Sequence, residues 1–176
     1  MTYEYAVYFK LLLLCGYRDE LQQYIDNALV EQDPLSEIIL ELSTAGSDDK
    51  RALSMLNEFL RQVVDSDSDW DKTVFELVMS FLKREYVHNE MSMKNITDLM
   101  YKLAVHTERY YYEPWYTMYL IGELFDEAET GYIDKADYQQ KFEAFLSGNN
   151  CLCDYPPVLP KESFFKRFLN WMRGAH

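Results

Sequence analysis

The sequence predicts an all-α protein of about nine helices, and three observations carry that expectation. Apolar residues recur at the i, i+3, i+4 and i+7 spacing of amphipathic helices through most of the chain. Its six glycines stand where helices would end or turn. Runs of alternating apolar and polar residues bounded by hairpin turns, the signature of strands, are scarce. Connections of a few residues favour neighbours that run back along one another. The expected architecture is therefore a series of consecutive antiparallel hairpins, packed as a compact bundle or a short curved array.

Residues 3 to 15 are apolar on nearly every side, which suits a central helix, and Gly16 supplies the left-handed conformation that stops it. Glu4 and Lys10 interrupt the stretch, and Leu14 stands before Cys15 where a lipidation signal wants a small residue, so it is expected as a buried helix rather than a leader. Leu21, Tyr24, Ile25, Ala28 and Leu29 form a single stripe, with Asp19 as the expected cap. Pro34 is expected to open a short helix carrying Leu35, Ile38, Ile39 and Leu42. Gly46 and Ser47 break the chain before Leu53, Leu56, Leu60 and Val63.

The second half repeats the style. Val74, Leu77, Val78, Phe81 and Leu82 mark one helix, and Ile96, Leu99, Met100 and Leu103 the next. Pro114 starts a helix running to about Phe125, and Tyr138 to Leu146 gives an eighth. Residues 147–160, with Gly148, Asn149, Asn150 and three prolines, read as an irregular loop that pins a last helix over 161–173 across the body of one domain spanning 1–176.

Charge is the strongest statement about partners: 30 Asp and Glu against 17 Lys and Arg give a net charge of −13. Residues 1–70 hold 14 acids and 5 bases, whereas residues 151–176 hold 2 acids and 4 bases. Such a field repels nucleic-acid phosphate and anionic lipid and attracts a basic protein. Neither nucleic acid nor membrane is expected as a partner. No uncharged apolar stretch approaches the roughly 18–20 residues that span a bilayer. Three cysteines in a chain long enough for a full core need no disulfide framework, and the expected compartment is a reducing cytoplasm.

Catalytic and cofactor chemistry leave little trace. No nucleophile stands beside a base, no glycine-rich phosphate cradle is present, and no cofactor or metal is expected. With 30 acids some carboxylates must lie close in space, so pairing by itself carries no weight. Cys151 and Cys153 with His88, His106 or His176 lack the two half-sites of a zinc centre. His106 is placed on the apolar face of its helix as a structural histidine, and Cys15 as a small core residue.

Two acidic stretches resemble EF-hand calcium loops. Asp65, Asp67, Asp69, Asp71 and Glu76 occupy positions one, three, five, seven and twelve, but Trp70 replaces the glycine of position six and Lys72 the aliphatic residue of position eight. In Asp126 to Asp137, Gly131, Ile133 and Asp134 match positions six, eight and nine, while Ala128 replaces a ligand. A calcium-responsive protein is thus an alternative reading. Against it stands an acidic linker whose Asp69 and Asp71 cap the following helix, and a helix end followed by a turn.

Tyr110 to Tyr116 is the densest aromatic cluster, too dense for every ring to face one core. The exposed share would supply rigid anchors of the kind that dominate protein interfaces. The segment Ile25 to Pro34 leading into Ile38 to Ser43 resembles a stretch of small helical immunity proteins of bacterial toxin systems. That resemblance implies a cytoplasmic protein that neutralises a cognate toxin by occlusion, and taken with the acidity it leads to an expected basic partner such as a nuclease toxin. The expected partner-binding residues are Asp65, Asp67, Asp69 and Asp71 for attraction, with Trp70, Tyr111 and Trp115 as anchors. A scaffold or oligomerisation domain is a further alternative.

Overall fold

The computed structural model describes residues 1–63, 70–88 and 91–149. Over these the chain forms α1 (Tyr3–Leu14), α2 (Asp19–Glu31), α3 (Glu37–Thr44), α4 (Asp49–Gln62), α5 (Trp70–Val87), α6 (Met93–His106), α7 (Trp115–Thr130) and α8 (Lys135–Leu146). No strand occurs among the described residues. The ninth helix expected over 161–173 and the loop beyond Asn149 lie outside them.

Four of the eight helix starts among the described residues have a local cause in the sequence. Side chains of Thr2, Asp48, Ser92 and Asp134 accept hydrogen bonds from backbone N–H groups in the first turns of α1, α4, α6 and α8, satisfying donors that a helix start leaves unpaired. Gly16 and Gly131, at φ +85° and +82°, turn the chain out of α1 and α7 as expected. Two starts differ from the sequence reading. Asp19 is the first residue of α2 rather than its cap, and the capping position belongs to Arg18. Its guanidinium reaches away to the Asp49 carboxylate and the Gly46 carbonyl, tying the α1–α2 turn to the start of α4. Pro34 does not open α3, because Ser36 is still extended and the helix begins at Glu37.

Helix α1 holds the arrangement together. Ala6, Phe9, Leu11 and Leu12 are all but removed from solvent, and α1 packs against α2, α4, α5 and α6. Each such large side chain contributes about 1.5–3 kcal/mol by leaving water. Ring contacts give the directions. Tyr5 and Phe9 meet Tyr24, and Tyr8 meets Glu20, so α1 and α2 are antiparallel. Tyr3 meets Trp70 and Tyr17, just beyond the end of α1, meets Phe81, so α5 runs parallel to α1. Packing of each helix on the next therefore holds within α1–α4 and within α5–α8, while α4 and α5 each pack on α1.

Polar closure accompanies this packing. Glu20 accepts from the Tyr8 hydroxyl at 3.2 Å and pairs with Arg84 at 2.6 Å, joining α1, α2 and α5. Burial, reinforced by the Glu20 carboxylate, pushes the Tyr8 phenol above its ordinary range.

The closest helix pair is α6 with α7. Thr97 and Tyr101 of α6 face Gly122 of α7, and Tyr101 also meets Tyr119, an order that makes the pair antiparallel. A methyl group at position 122 would lie 2.9 Å from Tyr101 Cβ and 3.2 Å from the Thr97 carbonyl oxygen. Only glycine fits this crossing without moving the helices apart.

Urea unfolding should therefore show Leu12→Ala costing about 2–5 kcal/mol, by transfer and cavity terms together. Gly122→Ala should cost about 1–3 kcal/mol, because Tyr101 and the Thr97 backbone have to move apart. Val30→Ala, at a position 86% exposed, should stay within about 0.5 kcal/mol of the parent.

Candidate functional site

Asp71, Trp70 and Trp115 converge on one internal junction. Trp115 opens α7 and is fully buried, so it belongs to the core and offers no surface to a partner. Its indole N–H donates to Asp71 Oδ1 at 3.3 Å, because a buried donor needs an acceptor. The other carboxylate oxygen of Asp71 pairs with Arg109 at 2.7 Å. The Arg109 guanidinium lies 5.2 Å from the Trp70 ring centroid, in cation–π range, and Trp70 packs edge-on to Tyr3. Asp71 thus braces the start of α5 against the α6–α7 connection. Asp65, Asp67 and Asp69 lie outside the described residues.

The cluster Tyr110 to Tyr116 divides as its density requires. Trp115 is buried, Tyr110 and Tyr116 are half-buried, and Tyr111 and Tyr112 are exposed. Tyr111 stays available at the surface, its ring 4.2 Å from that of Tyr110 and its hydroxyl accepting from the Tyr110 hydroxyl at 3.0 Å. From there the rings continue along the molecule. Tyr110 stacks on Tyr119 and Tyr119 on Tyr101, each at 5.2 Å between centroids.

Beside this row, Asp98, Tyr101 and Lys102 of α6 and Gly122, Glu123, Asp126 and Glu127 of α7 line a shallow groove. The close approach at Gly122 brings the polar stripes of the two helices edge to edge. Four carboxylates face one lysine there, and the Tyr119 hydroxyl donates to Glu123. Partial burial, with the Glu123 carboxylate next, pushes the Tyr119 phenol upward. Tyr110 is shifted the same way, chiefly by its bond to Tyr111.

Sequence reasoning missed this face, Tyr111 apart. Its signal was present as the complement of the apolar stripes: Asp98, Tyr101 and Lys102 fall at i, i+3 and i+4 on α6, and Tyr119, Glu123, Asp126 and Glu127 at i, i+4, i+7 and i+8 on α7. Joining the two stripes required knowing that α6 pairs with α7.

The EF-hand-like stretches take other forms. Trp70 to Glu76, positions six to twelve of the first pattern, are the opening turns of α5, and Asp71 is engaged by Arg109 and Trp115. In the second stretch Asp126 to Thr130 complete α7, and Asp134 caps α8 by accepting from the Ala136 and Asp137 backbone N–H groups. Among the described residues no three His, Cys, Asp or Glu side chains are grouped to hold a metal ion. His106 is exposed rather than set in the core, since it is the last residue of α6 and the apolar stripe ends at Leu103 and Ala104. Cys15 is half-buried, and desolvation pushes its thiol up to about 11. Cys151, Cys153 and His176 lie outside the described residues. Among the described residues no helix is long and apolar enough to cross a membrane.

Compared with family models, curated proteins and solved structures, the chain matches none. The segment quoted above for its resemblance to immunity proteins forms the end of α2, the following turn and α3.

Asp71→Ala should destabilise the fold by about 1–3 kcal/mol, because the Trp115 indole N–H is left buried without an acceptor. Asp71→Asn, which keeps an acceptor and loses only the partly exposed ion pair, should cost under about 1 kcal/mol. Chemical denaturation followed by tryptophan fluorescence separates the two. Because a raised thiol pKa depletes the reactive thiolate, Cys15 should alkylate at least about tenfold more slowly than free cysteine near neutral pH, as read by peptide mapping.

Proposed function

We propose that this chain is an acidic helical protein-binding protein, immunity-like in action, which neutralises a basic partner such as a nuclease toxin by covering it. The observation that supports this reading best is the α6–α7 face, where a row of stacked tyrosines runs beside the carboxylates of Asp98, Glu123, Asp126 and Glu127. Such a combination suits protein recognition. Carboxylates steer a cationic surface into encounter and reject anionic competitors. Tyrosine gives contact area at little entropic cost, and less here because each ring is already held by its neighbour.

Ion pairing within the chain leaves that charge available. Among the described residues Asp98, Asp126 and Glu127 form no salt bridge, whereas Asp71, Glu20 and Asp49 are engaged internally. The acidity of this protein divides into braces and display. Cytoplasmic residence and the toxin class of the partner follow from the same reading and stand or fall with it.

The test is co-purification with the product of the neighbouring gene, together with rescue of cells that express it. Capture should weaken as salt rises from about 0.1 to 1 M, over which the screening length shrinks from about 10 to 3 Å. The double reversal Asp98→Lys with Asp126→Lys should slow association by about tenfold or more and abolish rescue, while Tyr111→Ala should act on dissociation. Capture unchanged by salt and by both charge reversals would exclude electrostatic recognition at this face.

A further inference from the structure

A second surface, on the other half of the molecule, has the shape and chemistry of a helix-binding groove. α3 and α4 are joined by the turn at Gly46 and lie against each other, and two adjoining depressions follow their seam, sharing Glu41 and Glu58. Leu40, at 50% exposure, and half-buried Met55 line one depression and half-buried Phe59 the other, giving the two an apolar floor. Glu37, Glu41 and Glu58 form the rim. Glu58 accepts from Arg61 and Gln62 of its own helix, whereas Glu37 and Glu41 have no ion pair among the described residues.

An unmet hydrogen bond marks one end. The Ser36 hydroxyl oxygen is buried, has no hydrogen-bond partner, and belongs to a residue lining the depression of about 330 Å³ between the start of α3 and the end of α4. A buried hydroxyl left unpaired is costly, and an N–H donor entering the groove would satisfy it. At the other end Arg51 donates to the Thr44 hydroxyl at 3.0 Å, placing a positive charge there. Glu37 thus stands at the Ser36 end and Arg51 at the other, with Glu41 and Glu58 common to both depressions.

We infer that the α3–α4 groove seats a cationic amphipathic helix of the partner protein, with its apolar stripe on Leu40, Met55 and Phe59 and its lysine or arginine side chains reaching Glu37, Glu41 and Ser36. This rests on the reading that the partner is basic, and adds the mode of recognition. Dimensions agree: the 14 residues of α4 make a wall of about 21 Å, the length of four helical turns, and anchors at i, i+3, i+4 and i+7 would cover it. Apolar floor and acidic rim together favour a cationic amphipathic occupant over an anionic one.

The probe is a synthetic amphipathic helix with leucine on one face and lysine on the other, set against an isomer of the same composition with the stripe shuffled. Amide NMR of the full chain should place the shifts in residues 36–44 and 54–62, and the shuffled isomer should bind about tenfold more weakly. Leu40→Glu is decisive, because it adds negative charge while spoiling the floor at an exposed position. It should weaken binding by about tenfold, where attraction by charge alone would strengthen it. Equal binding of the two peptides, an unchanged or tighter Leu40→Glu complex, or shifts confined to other helices would overturn the inference. The Asp98→Lys, Asp126→Lys variant should hold the peptide within about twofold. Loss of partner capture in that variant therefore reports on the α6–α7 face, and loss of peptide binding in Leu40→Glu on this groove.

Discussion

Burial of α1 on most of its surface is the constraint from which the rest follows. A helix of ordinary amphipathicity has one face to cover, whereas α1 has nearly all of them, and α2, α4, α5 and α6 are recruited to do so. This explains why α4 and α5 do not continue the hairpin succession: the helix between them needs both. It also explains where the buried polar network lies. Tyr8 faces inward from α1 among apolar neighbours, and Glu20 and Arg84 come from the two flanking helices to satisfy it and each other.

Acidic side chains in this protein do two kinds of work. Asp71 is drawn inward by Arg109 and the Trp115 indole, and Asp49 holds Arg18 at the turn joining α1 to α2. In these places a carboxylate fixes one element against another. On the α6–α7 face and along α3–α4 the carboxylates stand beside exposed aromatic and aliphatic side chains instead. Net charge alone could not distinguish the roles, since it depends on which carboxylates have a cation within reach.

Much of the scaffold was legible because apolar periodicity is a local property. The stripes of Ile96, Leu99, Met100 and Leu103, and of Ile38, Ile39 and Leu42, are buried as their spacing required, and Gly16 and Gly131 end helices as glycines at positive φ do. What escaped was what depends on neighbours distant in sequence. Trp115 looked like an anchor because it sits in an aromatic cluster, yet its indole is fixed by an aspartate 44 residues away. The spacing of His106 to Leu103 points inward, but the helix stops there and among the described residues His106 is exposed. The tyrosine row was hidden because no single helix carries it. Asp19 and Pro34 were misplaced by one to three residues because an arginine engaged elsewhere and an extended serine decide those starts.

The crossing of α6 and α7 at Gly122 has a consequence for lineage. Surface carboxylates, and even the tyrosines, could be exchanged in descendants of this chain without disturbing its framework. The hydrogen at position 122 could be replaced only by displacing α6, because the Thr97 carbonyl and the Tyr101 Cβ stand where a carbon would go. Because the crowding atoms are the carbonyl of residue 97 and the Cα and Cβ of residue 101, which nearly every residue type carries, the glycine itself is the heritable mark that would outlast drift in the letters facing it.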